Sequence, residues 1–121
     1  MKPLFFLLLV FATTFSTAQL YINEIESDSP GTDNAEFIEL YSASPNTNLD
    51  GYVLVLFNGS DDASYAAYDL DRYSTDANGY FIIADSGVSG VSITLLSSGL
   101  QNGPDAIALY QADKSDFPND T

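Results

Sequence analysis

Seven short runs rich in Val, Ile, Phe and Tyr, each closed off by a turn-forming cluster, leave this chain room for strands and little else. The runs are Leu20 to Glu26, Glu36 to Ser42, Tyr52 to Phe57, Ser64 to Leu70, Tyr80 to Ala84, Val91 to Leu96 and Ala106 to Tyr110. Such residues pack best on a pleated, half-buried surface. Between the runs lie Ser29-Pro30-Gly31, Ser44-Pro45-Asn46, Asn58-Gly59-Ser60, Asn78-Gly79, Ser86-Gly87 and Asn102-Gly103-Pro104, all turn chemistry. Short strands recurring about every ten residues predict an all-β sandwich or barrel. A 3.6-residue period is nowhere sustained over ten residues. A short helix competes only over 62–70, where Ala63, Ala66 and Ala67 favour it.

Alternation assigns the faces. In Glu36-Phe37-Ile38-Glu39-Leu40-Tyr41, Ile38 and Leu40 share the better core face, and Phe37, Glu39 and Tyr41 take the other. Tyr52 to Phe57 is apolar on both faces, as in a central strand covered on both sides. The tyrosines suit sheet margins, with the ring buried and the hydroxyl wet.

The first eighteen residues are read as a secretory signal peptide and not as part of the fold. Lys2 precedes the apolar run Leu4 to Phe11, and small residues Ser16 and Ala18 precede a cut after Ala18. That run falls short of the ~20 residues of a membrane span. The exported chain is expected to be secreted and extracellular, with no membrane insertion once the signal is removed. Without Lys2, the cations Arg72 and Lys114 face 17 acids, a balance of −15 against −14 for the whole chain. Such a charge argues against binding nucleic acid through its phosphates and against docking on anionic membranes. With no His and no Cys, the usual nucleophile pairs, zinc ligands and disulfides are excluded. The domain must hold by packing alone, and no catalytic residues are assigned.

Five segments together resemble the lamin tail domain. They are Ile22-Asn23-Glu24-Ile25; Ala35 to Tyr41; Leu49-Asp50-Gly51-Tyr52-Val53-Leu54-Val55; Asn78-Gly79-Tyr80-Phe81-Ile82-Ile83; and Leu100 to Tyr110. They run in order from residue 20 to about residue 112. The resemblance implies an immunoglobulin-like antiparallel β-sandwich without enzymatic activity. With a signal peptide and no coiled-coil heptads, the chain is similar to the secreted bacterial branch, where such domains often stand beside nuclease, phosphatase or other hydrolase domains. The family pattern continues with a further apolar strand. Here residues 113–121 read as a polar tail after a sandwich spanning 19–112. Either the sequence is a fragment, or the sandwich lacks its last strand and leaves an open edge.

Five carboxylates crowd into Glu24, Glu26, Asp28, Asp33 and Glu36. If 22–26 and 36–40 pair as a hairpin, its loop end gathers Asp28, Asp33 and Glu36, hard oxygen ligands that suit Ca²⁺. A solvated acidic loop explains the same residues. No other cofactor is expected. Ser74 to Asp85 imitates a calcium loop at Asp76, Asn78 and Gly79, but Ser74 and Asp85 stand where the leading Asp and the bidentate Glu belong. A β-turn on Asn78-Gly79 is the simpler reading. Strict alternation would turn Glu24 inward with Ile22, a costly burial; a bulge, or backbone donors from a loop, would relieve it. Glu24 and Glu39 as a glycosidase pair lack an aromatic cleft. Asn58-Gly59-Ser60 and Asn119-Asp120-Thr121 are formal glycosylation sequons. The expected function is a non-catalytic extracellular interaction or structural module with an unidentified protein or cell-surface partner. The alternative is an accessory N-terminal domain of a secreted nuclease or phosphatase, and a Ca²⁺-stabilised structural domain is a third reading.

Overall fold

The computed structural model describes residues 19–28, 34–96 and 99–117. The signal segment, Asp33 and the sequon at Asn119 lie outside them. Among the described residues seven strands form: β1 Leu20–Glu26, β2 Phe37–Ser42, β3 Tyr52–Asn58, β4 Ala63–Asp69, β5 Tyr80–Ala84, β6 Ile93–Thr94 and β7 Ala106–Gln111. One sheet runs β1-β2-β5-β6 and the other β4-β3-β7. The chain is an all-β sandwich. Every pairing is antiparallel except β5 with β6, where Ile83 faces Ile93 and Ala84 faces Thr94 in parallel. The expected run Val91 to Leu96 shrinks to this two-residue contact, because the chain turns back through 85–92 and regains β5 from the same direction.

Burial period, not propensity, settles β4. Ala66 and Tyr68 bury on one side and Leu70 follows them into the core, while Ala67 buries on the other. That two-residue period fits the β3 ladder and no helix, so the competing helix over 62–70 does not form. β2 is equally regular. Its inward row is Glu36, Ile38, Leu40 and Ser42, all buried, an apolar centre with a polar residue at each end. Ser42 Oγ lies 2.8 Å from Thr47 Oγ1, and the Thr47 N–H donates to Thr75 Oγ1 at 2.8 Å, so hydroxyls knit that end together.

β1 and β2 pair as the expected hairpin, with Glu26 opposite Phe37. The register slips between Ile22 and Glu24, a bulge that carries Glu24 to the outer face opposite Glu39 and returns Ile25 to the inner one. Glu24 is exposed and needs no buried partner. Two carboxylates directly opposite repel, and the Asn23 side-chain amide donates to Glu39 Oε1 at 2.8 Å.

β3 is central to its sheet, and its two faces are covered by different things. Leu54 and Leu56 enter the main core with Leu40, Phe81 and Ile83. Val53 and Val55 point the other way and are fully buried all the same, packed with Ala67 under Phe57, Ala112 and Phe117. Within the stretch read as a polar tail, Phe117 therefore packs. Asp113 caps a 3-10 turn over Lys114–Asp116, accepting the Ser115 N–H while Asp116 accepts the Asp113 N–H. The turn delivers Phe117 to within 4.8 Å of the Tyr110 ring and 6.5 Å of the Phe57 ring.

Candidate functional site

Glu36 anchors the most built-up polar spot. It sits one residue before β2 and shares inward parity with Ile38, so its carboxylate enters the sandwich end, 3% exposed. There Oε2 accepts the Leu100 N–H at 2.7 Å. Gly99 comes so close that a Cβ on it would stand 2.3 Å from that oxygen. Asp85, at the end of neighbouring β5, accepts the Glu36 N–H at 3.1 Å, and its own N–H donates to Glu36 O at 2.9 Å. Glu36, Asp85, Leu95, Leu100 and Asn102 line a cleft of about 590 Å³. Both carboxylates accept main-chain N–H groups, bonds that fasten the segments on either side of the cleft.

A smaller cavity of about 170 Å³ opens beside it, between Ile25 of β1, Tyr65 of β4, Leu100, Asp105 and Ile107. Asp105 Oδ1 accepts the Gly59 N–H at 3.1 Å, whereas its buried Oδ2 has no hydrogen-bond partner among the described residues. Tyr65 Oη accepts the Gln101 N–H at 3.3 Å and Tyr68 Oη the Leu96 N–H at 3.1 Å. Burial pushes both phenols above their ordinary 10.0; these N–H donors oppose the shift, and carboxylates, Asp105 near Tyr65 and Asp85 near Tyr68, add to it. A folded-state value above the unfolded one favours the native state up to the unfolded pKa and loses that stability as pH rises through the folded one. Melting temperature is therefore expected to fall above pH 10, where unfolded tyrosines ionise first. Tyr65→Phe and Tyr68→Phe should each flatten the fall; a melting temperature level through that range refutes the assignment.

At the other end of the sandwich, acids again serve the backbone. Asp50 accepts the Arg72 N–H at 2.7 Å and the Asn48 side-chain amide at 3.1 Å, which hold its carboxyl below the usual value in that order. Asp71 accepts the Gly51 N–H at 2.7 Å. Asp76 Oδ1 accepts two donors, the N–H groups of Asn78 and Tyr80, both at 2.8 Å. The Gly79 N–H closes a turn on Asp76 O at 3.1 Å. The segment that imitates a calcium loop is thus a β-turn leading into β5, with Asp76 directed at its own backbone.

Of the three calcium candidates, Asp28 is exposed beyond β1 with its N–H on Glu26 Oε1, Glu36 is turned inward to Leu100, and Asp33 lies outside the described residues. Among the described residues no group of three or more His, Cys, Asp or Glu is placed to hold a metal ion. The hairpin was legible; the Glu36 contact with a residue 64 positions away was not. Its inward parity with Ile38 and Leu40 was the available signal. Tyr21, Tyr41 and Tyr80 form a row across the outer face of β1, β2 and β5, with ring centroids 5.6 and 5.0 Å apart. Asn58 ends β3 where the expected turn begins, its Oδ1 accepting from Ser60 N and Oγ.

Among the described residues, no helix is long and apolar enough to cross a membrane. No family model, no curated protein and no solved structure matches the chain.

Proposed function

We propose that this chain is a non-catalytic structural or interaction module of a secreted protein, of the lamin-tail kind and with an immunoglobulin-like sandwich. The observation that carries the reading is the use of the carboxylates. Glu36, Asp50, Asp71, Asp76, Asp85, Asp105 and Asp113 all accept main-chain N–H groups. In a chain without His or Cys, acids are the main source of acid-base chemistry, and here they fasten loops. Their abundance then reflects the many turns of a short-stranded sandwich held without disulfides, together with an exterior of one sign.

The far edge of β7 supports the interaction half of the proposal. Ala112 N–H donates to Gly51 O on the β3 side, so by alternation the N–H groups of Ile107, Leu109 and Gln111 point away from β3. This edge is six residues long, uncharged and in unbroken register with β3, whereas β1 carries a bulge and two glutamates. Strand addition is a common mode of recognition along an edge of this sort.

The test pairs stability with turnover. Asp71→Asn and Asp76→Asn should each cost about 1 kcal/mol in urea unfolding, the difference between a charged and a neutral acceptor for the same main-chain donors. The purified chain should leave phosphodiester, phosphomonoester and glycoside substrates at the blank rate. Turnover that disappears in Glu36→Gln or Asp85→Asn would overturn the proposal.

A further inference from the structure

Three Asn-Gly pairs occur in the chain, Asn58-Gly59, Asn78-Gly79 and Asn102-Gly103, and the fold treats them differently. Intramolecular attack of a glycine nitrogen on the preceding asparagine side chain needs that nitrogen free and the local backbone able to turn. At the first pair the Gly59 N–H is bonded to Asp105 Oδ1, and Asn58 Oδ1 accepts two donors from Ser60. Gly59 also lies so tightly under Pro104 that a Cβ would stand 1.6 Å from its carbonyl oxygen. At the second, buried Gly79 donates to Asp76 O and accepts from the Ser42 N–H at 2.8 Å, while Asn78 N–H is held by Asp76. Both pairs are pinned to strands.

The third pair is not. Asn102 and Gly103 are both exposed and lie in a bend outside any strand ladder. The Gly103 N–H makes a 3.2 Å contact with Gln101 O, two residues back, a tight three-residue turn and a weak restraint. A Cβ on Gly103 would find only ordinary contacts, the nearest 3.5 Å away at Asp105 Oδ1.

We infer that Asn102 is a self-modification site, where deamidation of the folded protein is concentrated. The Gly103 nitrogen, losing its proton to water or hydroxide, forms a bond to Asn102 Cγ, and ammonia leaves with the side-chain nitrogen. The resulting succinimide then takes up water and opens at either carbonyl, giving aspartate or isoaspartate at position 102. No electron transfer is involved. The product adds a negative charge beside Asp105. In the isoaspartate form it also adds a methylene to the main chain between Leu100, held by Glu36, and Asp105, which holds Gly59. The modification should therefore loosen the segment that closes both cavities.

The test incubates the full chain at physiological temperature and mildly alkaline pH, with peptide mapping by mass spectrometry and an isoaspartate-specific methylation assay. Asn102 should convert first, with Asn58 and Asn78 about tenfold slower or more, since ring closure there must also free backbone held by Asp105 and Pro104 or by Ser42 of β2, and not only a three-residue turn. In denaturant the preference should collapse, which separates control by the fold from control by neighbouring residues. Gly103→Ala should slow the reaction at 102 in folded and unfolded chain alike. Equal rates at the three sites in the folded chain, or earlier conversion at 58 or 78, would overturn the inference. So would a preference for 102 that persists undiminished in denaturant.

Discussion

Gly79→Ala should be among the most damaging single substitutions, lowering stability by roughly 2–5 kcal/mol through backbone strain and overpacking together. Gly79 holds φ at +92°, a region costly for any residue with a Cβ, and that Cβ would stand 2.0 Å from the carbonyl oxygen of Ser42. The obstruction is backbone at the end of β2, so it cannot rotate away as a side-chain tip could. Relief requires the turn to leave β2, and the Ser42 N–H bond to Gly79 O goes with it. The bonded hydroxyls of Ser42, Thr47 and Thr75 lie next to that junction, so the damage should spread into the 42–47 segment. Gly51 supplies the control. It has φ +80°, and a Cβ added there would meet nothing within 4 Å, so Gly51→Ala should show the strain alone, about 1–2 kcal/mol. Thermal melts resolve the difference readily, since a domain of this size shifts by ~4–8 °C per kcal/mol. Equal losses in the two variants would refute the packing part of the argument.

What the sequence disclosed follows the range of each interaction. β1 and β5 begin and end where period and turn residues place them, and the inward row of β2 was visible from its alternation. These signals are local, a matter of side-chain parity and of residues that break a strand. The outward turn of Glu24 was foreseeable as one of two escapes from a buried charge, and the bulge at Asn23 is the one the fold uses. Less was visible where a residue's environment is made by distant chain. β6 is short because its apolar residues meet β5 in parallel after a tight return, which alternation within 91–96 does not encode. Phe117 lies in a stretch that reads as a polar tail, yet Asp113 and Asp116 form the cap that turns it onto Phe57 and Tyr110. The acidic stretch beside β1 shows the same division. Its hairpin could be read, but Glu36 belongs energetically to Leu100 and Asp85, on segments that only the closed sandwich brings together.

Glu36→Ala tests that closure and should cost about 2–4 kcal/mol, the combined effect of a lost charge-assisted hydrogen bond and a buried donor left without a partner. The Leu100 N–H, 2.7 Å from Glu36 Oε2, would face a void that Ala cannot fill. The β2–β5 junction should survive, because the Glu36 N–H bond to Asp85 and the return bond from the Asp85 N–H use main-chain atoms of residue 36. Loss should thus concentrate in 99–102, seen as faster amide exchange at Leu100 and Gln101, the latter held by Tyr65 Oη. Glu36→Gln separates charge from acceptor. It keeps an oxygen for Leu100 but brings an amide N–H₂ into the close approach with Gly99, so an intermediate loss of about 1 kcal/mol is expected. Freed of its anchor, the 99–102 segment should also deamidate faster at Asn102 in Glu36→Ala than in the parent chain, while Asn58 and Asn78, pinned from elsewhere, keep their rates. Exchange that speeds up uniformly over β2 and β5 would mean that Glu36 supports the sheet as a whole and not the loop that its carboxylate reaches.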